Sequence, residues 1–323
     1  MSDMQYTYAV ARIRALEVAL FSSSVIEQLM SCKDEKQCLQ FLKEKGWGDS
    51  DTPLDAEAIL GREREKIWEV MKELEVDMSL FDVLSYENLF HNLKAAIKEV
   101  CTETTNPHIF YRDNAMPREV MIPIVKNKDW QALPENMRVC AQEAYETLLQ
   151  TRDGQLCDVI VDRATLLAVY QAGKKSKEPI IQQYAESTVA VTDIRIAVRS
   201  QKTAKSMEFM NRALVECDSI NIQQLAKAAL SGAEALTAYL SDTDYAGAAE
   251  ALAVSPSAFE RWCDNRIIET IRPQKYNPFS AGPLVAYVLA RENEIKTVRI
   301  ILSGKQNGLE DDSIRERVRE MYV

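Results

Sequence analysis

The sequence predicts an all-α protein that is built from three similar helical domains in tandem. Two observations predict this class. Apolar residues recur at three- and four-residue steps along most of the chain, and a charged triplet returns at one fixed interval. The composition agrees, because apolar residues make up 46% of the 323 residues, whereas glycine and proline, which interrupt helices, number only ten each.

Helical periodicity begins near the N-terminus, where apolar residues are spaced for one helix face from Tyr8 to Met30. The segment LDAEAILGREREKIWEVMKELE repeats this pattern with charged residues on the opposite face. Six further helices are expected to begin near Asn136, Gln155, Ser176, Asp218, Ser255 and Gly282. At the fourth of these, Asp218 or Ser219 is the expected cap.

The helices are interrupted at residues 106–119 and 272–283, where prolines and turn-forming residues concentrate. One short segment, DVIVD at residues 158–162, resembles a strand, but it is too short and isolated to build a sheet. The pattern therefore leaves an all-α fold as the prediction.

A triplet made of an acidic residue or Asn, then Ile or Leu, then a cation occurs three times. Its copies are Asn92–Leu93–Lys94, Asp193–Ile194–Arg195 and Glu294–Ile295–Lys296. The interval is 101 residues both times, which is too long for a solenoid repeat of roughly 20–50 residues. We therefore predict three helical units at residues 1–112, 113–217 and 218–323.

Charge and composition exclude several classes. A net charge of −10 disfavours binding to nucleic acid, because the chain repels phosphate backbones. The apolar run PLVAYVLA is far shorter than the roughly 20 residues that span a bilayer. The N-terminus does not resemble a signal peptide, and none of the seven cysteines has C-x-x-C spacing, so we expect a cytoplasmic protein with free thiols.

The Gly304–Lys305 pair raises the possibility of a phosphate-binding loop. Such a loop needs glycine five residues before the pair, where Arg299 stands, and Ser or Thr after it, where Gln306 stands. A prenyl-synthase magnesium site fails similarly, because Arg315 replaces the acid that must follow Asp312. Asp311, Asp312 or Ser313 is expected to open the last helix instead, favoured by the helix dipole.

Acid–base chemistry has one candidate segment, where Asp158 and Asp162 share a helix face. Asp264 and Arg266 stand at a comparable place one unit later. Ion pairs between packed helices are the alternative explanation of these residues. With only two histidines in the chain, we expect no catalytic residue, no metal site and no cofactor.

The C-terminal region resembles the C-terminal signature of the C subunit of archaeal and bacterial V/A-type ATPases, the family of the eukaryotic d subunit. The matching residues are Tyr287, Glu294, Ile295, Arg299, Gly304, Lys305, Asn307, Gly308, Ile314, Arg315, Glu316, Tyr322 and Val323. YAVARIRALE, the Asn92–Lys94 triplet and DGQLCDVIVDR are similar to earlier parts of the family pattern. The chain departs from it at EKGWGDSD, where Trp47 stands between two glycines and the surface is expected to differ.

This resemblance implies a funnel of three helical domains around a pseudo-threefold axis, with no catalytic role. It implies that the chain sits on the membrane-embedded ring of ion-carrying subunits and holds the foot of the central shaft, peripheral to the membrane. The role would be that of a rotor adaptor in ATP-coupled proton or sodium transport. An all-α enzyme and an unrelated helical scaffold are the alternatives.

The C-terminal helix also carries a structural prediction. Glu292 and Lys296 are spaced to pair along one face, whereas Glu294 and Arg299 are not. Each of the latter two should therefore find its partner on another helix. We expect both to be partly buried, with loss of Arg299 the more damaging, because a guanidinium can bridge two elements.

Overall fold

The computed structural model describes residues 6–111 and 115–323. Across these ranges the chain forms sixteen α-helices with a few short 3₁₀ turns and no strand, which confirms the all-α class. The predicted boundary between residues 112 and 113 lies outside the described residues.

Two compact units make up the chain. The first, here called the terminal unit, joins both ends of the chain: residues up to Leu80, Glu178–Ile180 and Tyr245–Val323. The second, the middle unit, contains Phe81–Lys177 and Ile181–Asp244. The division into three sequential domains stays a prediction.

The terminal unit contains eight helices. They are α1 (Thr7–Glu17), α2 (Ser23–Met30), α3 (Glu35–Glu44), α4 (Ala56–Glu73), α13 (Ala246–Val254), α14 (Pro256–Ile271), α15 (Gly282–Gln306) and α16 (Asp311–Arg315). The long helix α15 packs against α1, α2, α3, α4, α14 and α16. Its first ten residues are all buried, as expected of a helix that is surrounded by others.

The middle unit contains most of α9 and seven further helices. They are α5 (Asp82–Thr102), α6 (Arg118–Asn127), α7 (Glu135–Thr151), α8 (Gly154–Lys175), α9 (Pro179–Lys202), α10 (Met207–Ala213), α11 (Ile222–Ser231) and α12 (Ala233–Ser241). Helices α5, α7 and α8 pack on one another around a core that includes Phe90, Leu93, Met137 and Val161.

Most helix starts lie within three residues of their predicted positions. Side-chain caps explain several of them: the Asp153 carboxylate accepts from the amides of Gln155 and Leu156, and the Ser255 hydroxyl accepts from Ala258. The prediction of an Asp218 or Ser219 cap is wrong. Asn221 caps α11, because Asp218 binds Lys174 and Tyr170, while Ser219 donates to Glu186.

The strand-like segment at residues 158–162 lies inside α8, where tertiary packing and the Asp153 cap decide the conformation. Within the described ranges, no helix has the length and apolar character needed to cross a bilayer.

Candidate functional site

The first residue of each repeated triplet is buried. Asn92 lies on α5, Asp193 on α9 and Glu294 on α15. Each side-chain oxygen accepts a backbone N–H from outside its own helix: those of Tyr111 and Val215, 19 and 22 residues away, and that of Phe21, 273 residues away. The three residues therefore make the same kind of contact, in which a helix side chain fixes the backbone of a connecting segment.

Asn92 makes the most complete set of contacts. Its Oδ1 accepts the Tyr111 N–H at 2.8 Å, and its Nδ2 donates to the carbonyls of Tyr111 at 2.8 Å and Met116 at 3.1 Å. A neutral amide suits this place because it both donates and accepts. The contacts fix the connection between α5 and α6 on both sides of residues 112–114.

Asp193 is buried, and its Oδ1 accepts the Val215 N–H at 3.1 Å. Its Oδ2 has no hydrogen-bond partner among the described residues. Burial raises the pKa of this carboxyl to about 8, although the Val215 N–H and the charge of Arg163 act to lower it. At neutral pH the side chain is therefore mostly a protonated acid.

Glu294 lies in a network of buried charges in the terminal unit. Its Oε1 accepts the Phe21 N–H at 2.5 Å, and its other oxygen pairs with Arg291 one turn earlier. The Arg291 guanidinium also pairs with Glu63 on α4, whose Oε1 accepts from the Gly48 N–H and from Lys66 Nζ, both at 2.7 Å. Two carboxylates thus face two cations, and the network is balanced in charge.

The protonation of this network follows from its charges. Burial acts to lower the pKa of Arg291, but the carboxylates of Glu294 and Glu63 outweigh it and leave that pKa raised. Arg291 therefore remains a cation inside the fold. We name these four residues, Glu63, Lys66, Arg291 and Glu294, the buried charge network.

Trp47, in the EKGWGDSD segment where the chain departs from the family pattern, lies in the core. It is buried, stacks on Phe21 with ring centres 5.0 Å apart, and lies 5.3 Å from the Arg291 guanidinium. Gly46 and Gly48 on either side adopt left-handed backbone, with φ of 83° and 69°. The indole therefore covers the buried charge network.

The cations of the triplets lie nearer the surface. Lys94 pairs with Asp162 of α8 at 2.7 Å, and Lys296 pairs with Asp264 of α14 at 2.7 Å. Arg195 is partly buried on α9. The two residues of the predicted Glu292–Lys296 pair each bind a residue on another helix instead. Glu292 pairs with Arg64 at 3.4 Å, and Lys296 pairs with Asp264.

The acid–base candidates lie in ion pairs between packed helices. Asp158 pairs with Lys98 at 2.6 Å and Asp162 pairs with Lys94, so both join α8 to α5. Asp264 also accepts from Arg319 Nε at 2.7 Å. These contacts match the alternative explanation of the three aspartates.

The Gly304–Lys305 pair lies inside α15 and has a packing role. A Cβ placed on Gly304 would lie 2.6 Å from Ile314 Cγ1, so only glycine lets α16 approach this closely. Lys305 Nζ binds Asp311 at 2.7 Å, and its side chain is nearly buried. The conformation is helical, without the loop that cradles a phosphate.

The expectation of a partner on another helix is confirmed for Arg299, which pairs with Glu57 of α4, and is wrong for Glu294, whose ion-pair partner Arg291 lies on the same helix. Its side chain is 42% exposed and that of Glu57 is 73% exposed, whereas Glu294 is fully buried. Water screens an exposed pair far more than a buried one. From this difference in burial we expect loss of Glu294 to be more damaging than loss of Arg299, which reverses the ranking expected from the sequence.

Sequence reasoning missed Arg291 and Glu63, the centre of the buried charge network. A signal was present, because Arg291 interrupts an apolar run and stands three residues before Glu294. Across residues 6–111 and 115–323, no group of three His, Cys, Asp or Glu side chains is placed to hold a metal ion. The seven cysteines are free, and six of them are buried.

Comparison with known proteins gives one consistent result. The family model described as ATP synthase (C/AC39) subunit matches residues 9–317, which is nearly the whole chain. The C subunit of the V-type sodium ATPase of Enterococcus hirae is 24% identical over 326 residues, covering 99% of each chain.

Archaeal relatives agree. The C subunit of the A-type ATP synthase of Desulfurococcus sp. (strain SY) is 22% identical and covers 98% of this chain and 91% of its own length. That of Methanocaldococcus jannaschii is 21% identical, with coverages of 96% and 85%. The residues that the family model matches include all three triplets.

Proposed function

Since the chain belongs to the ATP synthase (C/AC39) subunit family, we propose that it is the central-stalk subunit of a V/A-type ATPase. In this role it is a non-catalytic part of the rotor that links the shaft to the membrane-embedded ring during ATP-coupled proton or sodium transport. The observation that carries the proposal is the match from residue 9 to residue 317, with relatives aligned over nearly their full lengths.

The contacts of α15 support a torque-carrying role. At 25 residues this helix is about 37 Å long. It is joined to α4 by three ion pairs in its middle part, between residues 291 and 299: Glu63–Arg291, Arg64–Glu292 and Glu57–Arg299. Two helices that are joined at two places about two turns apart resist sliding and rotation against each other, which a rotor part needs.

Peripheral attachment to the membrane through the complex follows from the same proposal. The proposal includes an arrangement of the chain as three domains around a pseudo-threefold axis. The residues of the repeat signature are Asn92, Lys94, Asp193, Arg195, Glu294, Lys296 and Arg299. Asn92 and Asp193, which stand 101 residues apart, each accept a backbone N–H from within their own predicted unit, and this supports the division.

A binding experiment tests the proposal. The purified chain is mixed separately with ring subunits in lipid nanodiscs and with shaft subunits, and binding is measured at low and high salt. We expect binding to both, and a weaker affinity for at least one partner at high salt, because a chain of charge −10 uses electrostatic complementarity. ATP hydrolysis by the isolated chain should be absent.

The same measurements separate the alternatives. Turnover of ATP by the isolated chain, abolished by Lys305→Ala, would favour an enzyme. Absence of turnover together with absence of binding to ring and shaft would leave an unrelated helical scaffold.

A further inference from the structure

Two of the seven free cysteines lie side by side at the turn between α2 and α3. Cys32 follows the end of α2, and Cys38 lies near the start of α3. Cys32 Sγ donates to the Gln28 carbonyl at 3.8 Å, and Cys38 Sγ donates to the Leu29 carbonyl at 3.6 Å. Because these carbonyls belong to adjacent residues, both sulfurs are held against the last turn of α2. The two thiols are also within hydrogen-bonding reach of each other.

The backbone of the turn keeps the two cysteines in this arrangement. The Leu29 carbonyl accepts the Cys32 N–H at 3.1 Å as well as the Cys38 thiol. Asp34 Oδ1 accepts the Gln37 N–H at 2.9 Å and caps α3. Since both cysteines belong to one short turn, a bond between their sulfurs requires no movement of distant elements.

Exposure decides which sulfur meets a reagent from solution first. Cys32 is 8% exposed and stands beside the exposed Lys33, whereas Cys38 has no exposed surface. Burial and the neighbouring Cys32 raise the pKa of Cys38 to about 12, so Cys38 is a protonated thiol at neutral pH. Cys32 is therefore the sulfur that reacts first, and Cys38 is the one that resolves the product.

A cation near Cys38 favours its reaction as a thiolate. The charge of Lys305 acts to lower the pKa of Cys38, against the effects of burial and of Asp34. The Lys305 side chain is only 6% exposed and pairs with Asp311 at 2.7 Å. Water screens a buried cation weakly, so Lys305 can stabilise the negative charge that forms on Cys38.

We propose that Cys32 and Cys38 form a reversible disulfide when the chain meets a low-molecular-weight disulfide, and that Lys305 assists the closing step. Cys32 loses its proton and attacks one sulfur of the small disulfide, so that a mixed disulfide forms and a small thiolate leaves. Cys38 then loses its proton and attacks Cys32 Sγ, which expels the second small thiolate. The two small thiolates take up the two protons. Two protein thiols are thereby oxidised by two electrons, and one small disulfide is reduced to two thiols.

The product is a covalent clasp between α2 and α3. Both helices pack on α15, so oxidation would fasten two neighbours of this long helix to each other. A closed loop also restricts the unfolded chain. The oxidised protein should therefore unfold at a higher denaturant concentration than the reduced protein, and dithiothreitol should remove the difference.

Peptide mapping of the full-length chain tests the proposal. The folded protein is incubated with glutathione disulfide, its remaining thiols are blocked with N-ethylmaleimide, and tryptic peptides are analysed by mass spectrometry. Cleavage after arginine and lysine places Cys32 in the peptide 15–33 and Cys38 in the peptide 37–43. We expect these two peptides to be linked, and dithiothreitol to separate them.

The chain contains a matched control pair in the middle unit. Cys140 is 7% exposed and Cys157 is fully buried, much as Cys32 and Cys38 are, and their charges interact. They lie on different helices, α7 and α8, and in the separate peptides 139–152 and 153–163. The yield of linked peptides should be at least about tenfold higher for the α2–α3 turn than for this pair.

Three variants separate the steps. Cys38→Ser should stop at the mixed disulfide on Cys32, whereas Cys32→Ser should leave Cys38 unmodified. Lys305→Gln should form the mixed disulfide at the parental rate and close it more slowly, and Lys305→Arg should close it as the parent does. Chemical denaturation of the reduced variants shows that each is folded under the reaction conditions.

Other outcomes would overturn the proposal. If the parent yields no linked peptide, or accumulates a mixed disulfide on Cys32 that never closes, the turn does not form the bond. Equal linkage of the Cys140–Cys157 pair would show that the turn does not select its two cysteines. If Cys32→Ser still forms a mixed disulfide on Cys38, the order of attack is wrong. Closure of Lys305→Gln at the parental rate would remove Lys305 from the reaction.

Discussion

Helices α9 and α15 place a buried carboxyl group against a distant backbone N–H in two different ways. On α15, Glu294 has Arg291 one turn away and Glu63 and Lys66 beyond it, so its charge is balanced inside the fold. On α9, Asp193 Oδ2 has no hydrogen-bond partner within the described ranges, and burial raises the pKa of the carboxyl to about 8. Burial raises the pKa of both carboxyls. At Glu294 the paired Arg291 acts most strongly against this rise, whereas at Asp193 only the Val215 N–H and the charge of Arg163 act to lower the pKa.

Asn92 on α5 shows a third solution to the same problem. Its amide is neutral at every pH and makes three hydrogen bonds. All three positions require a side-chain oxygen that accepts a backbone N–H. The charge on the side chain is secondary. Sequence similarity among Asn, Asp and Glu at the 101-residue interval thus hides large differences in electrostatics.

The largest expected effect is that of Arg291→Ala. The substitution leaves the carboxylates of Glu63 and Glu294 buried without their shared cation. We expect a loss of roughly 3–5 kcal/mol in the free energy of unfolding, measured by chemical denaturation. Arg291→Lys should lose less, because the charge stays while the two-pronged geometry is lost.

Arg299→Ala is the matched control, because it removes an arginine from the same helix and also breaks a pair with α4. That pair is exposed, so the expected loss is about 0–1 kcal/mol. Equal losses of unfolding free energy for Arg291→Ala and Arg299→Ala would show that burial does not determine how much each ion pair stabilises the fold.

The second effect is that of Asn92→Asp, which gives α5 the side chain that α9 carries. The new oxygen would face the carbonyls of Tyr111 and Met116, to which the Asn92 amide now donates. We expect a loss of about 3 kcal/mol at pH 7, measured by urea denaturation.

The loss in Asn92→Asp should shrink in acid, because a protonated carboxyl again offers a donor. Its folded pKa would be raised, so the variant gains stability relative to the parent as pH falls. A variant that matches the parent at pH 7 would show that the amide donor contributes little.

The fold was largely predictable from the sequence because helical periodicity and caps are local signals. The start of α15 at Gly282 and the caps Asp153 and Ser255 follow from neighbouring residues alone. The Asp218 cap failed because Lys174 and Tyr170, more than forty residues away, bind its carboxylate. Competition from distant groups cannot be read from a local pattern.

The candidate site was predictable only in part, for the same reason. The 101-residue interval found Asn92, Asp193 and Glu294, but the interval carries no information about burial. The partner of Glu294 stands three residues away, whereas Glu63 is 228 residues from Arg291. Only the packing of α15 on α4 brings those charges together, and it also decides that Arg299 stays near the surface.

The third prediction concerns pH and Asp193. The carboxyl has an ordinary pKa of 3.8 and a folded pKa of about 8, so the folded chain holds one more proton between these values. Stability of the parent should therefore fall as pH rises from 4 to 8, by up to about 1.4 kcal/mol per pH unit from this group. Arg163 and Glu186 are the charged groups that act on it.

Asp193→Asn removes that titration and keeps an oxygen for the Val215 N–H. The variant should lose the slope that Asp193 contributes and become more stable than the parent near pH 8, as followed by urea denaturation across pH. Identical pH profiles for parent and variant would mean that Asp193 is ionised in the fold and that a cation or water balances its charge.

The smallest expected effects come from the cations of the triplets, Lys94 and Lys296. Both pair at 2.7 Å with a carboxylate on a neighbouring helix, but these pairs are partly exposed and worth about 0–1 kcal/mol. Lys94→Ala should cost more, because Asp264 keeps Arg319 when Lys296 is lost. Both losses should diminish in high salt, unlike that of Arg291→Ala. Denaturation in low and high salt tests the ranking, and a loss above about 2 kcal/mol for Lys296→Ala would place the triplet cations among the structural residues.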